Sequence, residues 1–462
     1  QKAAEEKKAA AKKAAEKPEI STASVIAVGD NLYHGSLIES GENDSGTWNY
    51  DKIYEKVTDE IQAADVAMVD QETVFTTEHD AVSSYPSFAT PTEVGDALIK
   101  AGFDVIESAT NHIDDYGSDF MEETFNFWST NYPDIPVLGI HPTEEDANNV
   151  KTLEVNGIKI SFLDYTYGTN NGGAGEGKEY MIDLFDKAKV SSMIQKAKAS
   201  SDVLIFVAHW GKEMEPMPTE YEKEWATFLM QQGVDVVIGG HPHTLQPYGT
   251  MSDKEGHSML IFYSLGNFVS TQESFDALLE GMGCFTIQKT VQNGKTTVEI
   301  LDPEVKPMVM HYNKDAGVFS PYMLSDYTEE LASQHEVRTV LGDDSFTLAN
   351  LQARFKEIMS LSVKPSTNTD LLDVTFNSDG DMVNSNGEYV DDTWSVSAAN
   401  AQDDTAADNS DSSDDSSDSS DDSSDSSDDY DYSDSSDNSD ESDYSDESDY
   451  SDDSDYSDDS EY

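Results

Sequence analysis

Short β-rich runs alternate with helix-period segments as far as residue 268 of this 462-residue chain, and the runs end in residues able to bind metal or carry protons. Runs 24–28, 65–69, 104–107, 203–208, 234–238 and 259–263 lead respectively into Gly29-Asp30, Asp70-Gln71-Glu72, Ala109-Thr110-Asn111-His112, His209-Trp210-Gly211, Gly239-Gly240-His241-Pro242-His243 and Ser264-Leu265-Gly266-Asn267-Phe268. Helix patterns fall over 50–62, 92–101, 119–128, 182–199 and 219–232, the last opening with the capping-box pair Thr219 and Glu222. The alternation predicts an α/β fold whose parallel or mixed sheet is covered on both faces, with ligands at the carboxyl ends of the strands. One rim should therefore collect Asp30, Glu72, Asn111, His112, His209, His241 and His243.

Within that rim the segment 237–243 is the most telling. An apolar strand reaches two glycines that let the backbone turn, then delivers His241 and His243 in Gly-His-x-His spacing. Two loop histidines alone are commonly surface or hydrogen-bonded residues. Five independent strand ends carrying carboxylate, imidazole and amide groups form a set that suits one or two divalent ions of the Mn, Fe or Zn class. Such ions turn water into a nucleophile near neutral pH, and an unligated imidazole nearby can protonate a leaving oxygen.

The ordered motifs Gly29-Asp30, Asp70-Gln71-Glu72-Thr73, Thr110-Asn111-His112 with Asp115-Tyr116-Gly117, His209-Trp210-Gly211, Gly240-His241-Pro242-His243 with Gln246-Pro247, and Tyr263-Ser264-Leu265-Gly266-Asn267-Phe268 resemble the poly-gamma-glutamate capsule biosynthesis (CapA) family. The resemblance runs over about residues 24–311. It implies a fold related to calcineurin-like metallophosphoesterases, with layered β-sheets flanked by helices. It also implies roles: Asp30 and His243 on a first metal, Glu72 as the bridging carboxylate, Asn111, His209 and His241 on a second metal, and His112 as the acid serving the leaving group. The chain departs from the phosphoesterase pattern twice, with Leu32 where Asp-x-His requires histidine and with the longer Glu72 at the bridge. His34 is a candidate for the missing imidazole or a substrate contact, and equally a turn residue beside Gly35. Trp210 and Asn267 are further candidates at the rim, with packing the stronger reading for Trp210.

Composition narrows the partners. With 93 acidic against 27 basic residues and a formal charge of -66, the chain repels nucleic acid at long range. An anionic polymer or phosphoester substrate needs the metals or a local basic patch to bind. The single Cys284 permits no internal disulfide and falls in an alternating strand pattern, where a buried thiol is expected.

Four segments are expected. Residues 1–20 read as an Ala/Glu/Lys-rich helical spacer and 21–362 as the main domain, which a helix over 346–359 closes. Residues 363–400 form a linker or small appended segment, and 401–462 an acidic Ser/Asp tail. That tail holds 27 acidic residues and neither Lys nor Arg, a composition that stays disordered. Asn377, Asp379, Asp381 and Glu388 match calcium-loop spacing, but Met382 replaces the required glycine, so coincidence is the reading. No apolar run is long enough to span a bilayer. Gln1 suggests a processed or trimmed chain, and an anchor lost before it would make the spacer a stalk; the resemblance to the CapA family implies an extracellular place at the membrane or cell surface, beside membrane-embedded capsule synthesis proteins. Two functions fit: an extracytoplasmic metal-dependent hydrolase of metallophosphoesterase type, or a non-catalytic polymer-binding or assembly factor on the same fold.

Overall fold

Alternate side chains of Val203–His209 enter two different cores. Val203, Ile205 and Val207 join one apolar cluster, while Leu204, Phe206 and Ala208 join another. A strand with two apolar faces must be covered on both sides, and this one is: a second sheet lies on one face and helices on the other. Residues 17–366, apart from 44, 255 and 343, are described by the computed structural model, together with Lys2 and the backbone of 375–376 and 382–383.

In chain order the strands are β1 (Glu19–Asn31), β2 (Val66–Asp70), the short pair β3 (Phe75–Thr76) and β4 (Thr90–Pro91), β5 (Val105–Glu107), β6 (Lys151–Val155), β7 (Ile158–Thr166) and β8 (Val203–His209). There follow β9 (Val236–Gly240), β10 (Tyr248–Ser252), β11 (Ser258–Phe262), β12 (Asn267–Val269), β13 (Leu279–Gln292), β14 (Lys295–Asn313) and β15 (Val318–Met323). A seven-stranded sheet has the order β15-β14-β13-β1-β2-β5 with β12 beside β1, and a six-stranded sheet the order β10-β11-β9-β8-β7-β6. In the six-stranded sheet parallel pairs form the centre and antiparallel strands both edges, whereas the seven-stranded sheet is parallel from β1 through β2 to its edge β5 and antiparallel from β1 through β13 and β14 to β15. The fold is thus α/β with layered sheets, and its rim is shared by two sheets instead of one. The reason is the long β13–β14 hairpin, turned at Asn293-Gly294 with φ of 55° and 75°, which extends the first sheet by antiparallel pairing.

Val25, Ala27, Val69 and Ile106 of the first sheet share one core with Ile160, Ile205, Val236 and Ile238 of the second. Burying each such valine or isoleucine contributes about 1.5–3 kcal/mol. On the outer face of the second sheet, helices Lys187–Ser200 and Glu220–Gln232 bury Val190, Ile194, Trp225 and Leu229. Thr219 and Glu222 form the expected capping box. Cys284 is buried, its thiol pushed up to about 12 by that burial.

Two helices differ from their patterns. The 50–62 segment divides into Asp51–Tyr54 and Thr58–Gln62, because Val57 turns wholly into the core between them. The 182–199 helix begins only at Lys187, capped by Asp186. Backbone pairing of Asp183 with Gly139 and of Phe185 with Thr166 holds the preceding residues extended. Strand β1 begins at Glu19, so Glu19 and Ile20 pair with Val291 and Thr290. The helix near the domain end is Leu348–Met359, capped by Thr347. A two-strand pair joins Thr375–Phe376 to Met382–Val383. The rest of the expected spacer, the calcium-like positions Asn377, Asp379, Asp381 and Glu388, and the Ser/Asp tail lie outside the described residues. Among the described residues no helix is long and apolar enough to cross a membrane.

Candidate metal centre

Period-two alternation decides which way the strand ends face. His209 continues the row Val203, Ile205 and Val207 on the side of β8 that meets the first sheet, and there it finds β2. Its Nδ1 lies 3.0 Å from Asp70 Oδ2, and its Nε2 lies 2.8 Å from Asn111 Oδ1. Burial holds the His209 pKa down at about 3, so the ring carries a single proton. The single ring proton can serve only one of the two acceptors, and when it lies toward Asp70 the Nε2 and the Asn111 oxygen are two lone-pair groups that a shared cation would join.

The loop after β9 brings the other imidazoles. His243 Nδ1 lies 2.9 Å from Asp30 Oδ2, and its Nε2 lies 3.7 Å from Glu72 Oε1. The His241 backbone N–H donates to Asp30, at 3.2 Å to Oδ2. This tight approach needs Gly240, where a Cβ would sit 2.6 Å from Asp30 Oδ1 and 2.9 Å from Asp70 Oδ2. It also needs left-handed backbone at His241 and His243, with φ of 92° and 55°.

Three buried donor sets result: Asp30, Glu72 and His243; Glu72, His209 and His241; and Asp30, Asp70 and His209. Ligand atoms within each set lie within 4.8 Å of one another. Both carboxylate oxygens of Glu72, Oδ1 of Asp70 and Nδ1 of His241 are buried without a hydrogen-bond partner. Orphaned acceptors of this kind are costly unless something positive fills the gap. Mixed imidazole, carboxylate and amide donors suit a divalent ion of borderline softness, so the residues present fit the metal that the sequence implied.

Charge within the cluster is strongly displaced. Burial pushes the Glu72 carboxyl well up, opposed by His243 and reinforced by Asp30. Asp70 is pushed up by burial and then by Asp30, Glu107, Glu72 and Asp164. For His243, burial acts downward, but Glu72 and Asp30 reverse it and hold the pKa at about 10. Burial keeps His241 well below the usual range.

His112 stands beside the donors without belonging to any of the three sets. Its Nδ1 lies 2.8 Å from Asp115 Oδ2 and 3.1 Å from Asn170 Nδ2, which leaves Nε2 as the nitrogen available to a reactant. Asn111 Nδ2 bonds Asn170 Oδ1 at 3.4 Å, so one asparagine steadies both neighbours of the motif. His34 is placed at the same opening, its Nδ1 near the Thr271 N–H at 3.4 Å and its pKa lowered to about 4, first by burial and then by His243. It falls in none of the three donor sets and stands at the opening beside Phe88. Leu32 is buried and fills the position of the absent histidine with packing.

Asn267 is a register partner of Asp30 and donates to the carbonyls of Ala277 and His243, supporting the loop from beneath. Trp210 lies on the helix side of the sheet, fully buried, with Nε1 donating to the Tyr263 carbonyl at 2.9 Å. Its role is packing. Asp70, Asp115 and Asn170 carry roles that the sequence reading did not assign. Asp70 is the last residue of β2, on the face of Val66 and Met68, so it was legible as a strand-end carboxylate; Asn170 follows the end of β7, a strand end left unread.

Fold and donor set define an α/β protein with a buried centre, compatible with divalent metal, at the carboxyl ends of strands from two sheets. The chain belongs to the bacterial capsule synthesis protein PGA_cap family, whose profile matches residues 24–272. It is 31% identical over 170 residues to the PGA biosynthesis protein CapA of Bacillus subtilis (strain 168), covering 37% of this chain and 43% of that one. It is 29% identical over 180 residues to the capsule biosynthesis protein CapA of Bacillus anthracis, covering 38% and 42%. The matches thus span less than half the length of these curated relatives. Among solved structures it is similar to a phosphatase from Mycoplasma pneumoniae, with a TM-score of 0.34 and 15% identity over 62% of this chain and 95% of that one. A 5'-nucleotidase precursor from Thermus thermophilus gives a TM-score of 0.34 and 13% identity over 61% and 54%.

Proposed function

We propose that this chain is a metal-dependent hydrolase of the phosphoester class that serves the synthesis, retention or export of a poly-gamma-glutamate capsule, working outside the cytoplasm beside membrane-embedded synthesis proteins. Support for the capsule setting comes from family membership and from the names of the Bacillus relatives. The observation that carries the chemistry is the His112–Asp115 pair standing next to, but outside, the buried donors.

Asp30 and His243 would hold one divalent ion, and Asn111, His209 and His241 a second, with Glu72 between them. Ions held there supply Lewis-acid charge to a substrate oxygen and make water a stronger nucleophile near neutral pH. The chain's own residues do the rest. Asp70 keeps the His209 proton on Nδ1, so that Nε2 presents a lone pair. Asp115 accepts from His112 Nδ1 and fixes which nitrogen faces the substrate, and His112 then holds a proton at Nε2 for the departing oxygen. Loading the purified protein with Mn, Fe or Zn and assaying a phosphomonoester, a phosphodiester and a gamma-linked glutamate polymer tests the reading. Hydrolysis of a phosphoester that needs added metal supports it, and inertness toward all three removes it.

Leu32 favours a second reading. With packing where the phosphoesterase pattern has an imidazole, the set Asp30, Glu72 and His243 lacks a nitrogen donor from that position. A protein that keeps the fold and one metal to bind polymer or a partner, without turnover, accounts for the departure. Polymer binding that depends on metal, in the absence of any hydrolysis, supports this alternative.

A further inference from the structure

Large exposed hydrophobic side chains are few among the described residues, and three of them border the metal centre. Tyr85 is 75% exposed, Tyr116 40% and Met214 42%. Met214 belongs to the far side, where its backbone N–H donates to the Pro242 carbonyl between the two loop histidines. The tyrosines belong to the near side, on and beside the loop 83–89, which closes on itself through paired backbone hydrogen bonds between Ser83 and Ala89. Each of the three is tied to the centre through one neighbour: Met214 through Pro242, Tyr116 through Asp115 and Tyr85 through Phe88.

The loop is tied to His112. Phe88 is buried and meets the His112 ring edge-on at 4.8 Å and the His34 ring at 5.6 Å, while its other neighbour is Tyr85 at 6.4 Å. Asp115 Oδ2 accepts both the Phe88 backbone N–H at 2.7 Å and His112 Nδ1. Tyr116 donates its hydroxyl to Ser83 Oγ at 2.8 Å. One carboxylate thus sets the position of the loop and the orientation of the imidazole together. A group bonded to the oxygen that His112 protonates lies within side-chain reach of Phe88, and beyond Phe88 the chain presents the exposed tyrosine.

We infer that Tyr85, backed by Phe88 and flanked by Tyr116, is the leaving-group subsite, and that it takes a ring: the substrate is an ester whose leaving alcohol carries a sugar-like or aryl ring. This rests on the phosphoester reading above. A tyrosine offers a flat apolar face and a hydroxyl at its edge, which match a ring with polar substituents better than they match a flexible lipid tail. The loop is short, closed by the Ser83–Ala89 backbone pair, and it holds Tyr85 out from the buried Phe88.

Calorimetric titration of the metal-loaded protein with inorganic phosphate, methylphosphonate, cyclohexylphosphonate and phenylphosphonate tests this without relying on turnover. Wild type should bind a ring-bearing phosphonate about ten-fold more tightly than methylphosphonate, near the upper end of what one ring pair supplies. Tyr85→Ala should abolish that preference, Tyr85→Phe should keep it, and phosphate affinity should be equal in all three proteins. A preference for cyclohexyl over phenyl assigns a saturated, sugar-like ring, and the reverse assigns an aryl group. Phosphate binding with no ring preference in wild type, or with the preference intact in Tyr85→Ala, overturns the subsite alone. Failure of phosphate itself to bind overturns the phosphoester reading and the subsite with it.

Discussion

Asp70 and His209 come from different sheets and meet at 3.0 Å, carboxylate Oδ2 to imidazole Nδ1. Asp30, Asp70 and Glu107 are successive register partners across β1, β2 and β5, so Asp70 sits between two like charges. The contact therefore has opposite effects with and without metal. Asp70→Asn should weaken metal affinity by about 10–100-fold, as losses behind a ligating histidine generally do. The same substitution should leave the metal-free protein as stable as wild type or more so, because it removes a buried carboxylate that its neighbours repel. Competition titration with a metal indicator, beside thermal melting in chelator, separates the two effects.

Metal should also join the sheets. Asp30 and Glu72 belong to one sheet and its exit loops, His209, His241 and His243 to the other. A ligand at 100 times its Kd stabilises the folded state by about 2.7 kcal/mol. Chelation should therefore lower the Tm of the described domain by several degrees and raise amide exchange at the ends of β1, β2, β8 and β9. The double variant His241→Ala with His243→Ala should bind less metal, by elemental analysis, and show little further response to chelator. Equal metal content in variant and wild type would remove these histidines from the centre.

Substitution of His112 should separate chemistry from assembly. His112→Ala should retain its metal and its Tm while turnover of any hydrolysed ester falls by about 10²–10⁴-fold, the usual range for a lost general acid. Asp115→Ala should lower turnover too. It also removes the acceptor of the Phe88 N–H, so KM for ring-bearing esters should rise in that variant and not in His112→Ala.

Acid should destabilise the domain independently of metal. His311 and His335 are buried against each other with ring centroids 5.1 Å apart, and burial holds their pKa values down at about 4 and about 3. An unfolded histidine titrates near about 6.5. Between these values the unfolded chain binds protons that the folded chain refuses, so stability is retained above about 6.5 and lost as pH falls toward about 4. Melting between pH 7 and pH 4.5 should show that slope in chelated and metal-loaded protein alike. The His335→Gln variant should flatten it.

Legibility in the sequence followed locality. The strand runs, the Thr219 cap and the grouping of Asn111, His209, His241 and His243 depend on short-range pattern and on one rule, that α/β rims gather strand-end residues. What stayed hidden depends on pairing at a distance. Nothing near Ile182 announces that Gly139 will hold its neighbour extended, and nothing near Asp70 announces that the histidine it orients lies 139 residues away. The division of strands into two sheets was hidden for the same reason, since register between β1 and β13 is set by the whole hairpin and not by either strand. Trp210 was ambiguous because a side chain leaving a strand end is assigned to a face only when the strand's own phase is known.

The left-handed backbone at His241 and His243 bears on how this family ages. Each imidazole is kept in a conformation that costs of order 1–3 kcal/mol and that glycine or asparagine adopts more readily. Replacing either histidine by glycine would thus relax the loop even as it removed a donor from the centre, so loss of the donor meets little resistance from the fold. Relatives that carry Gly or Asn in place of either histidine should therefore keep both sheets and hold less metal, which elemental analysis of such a relative beside this chain would show.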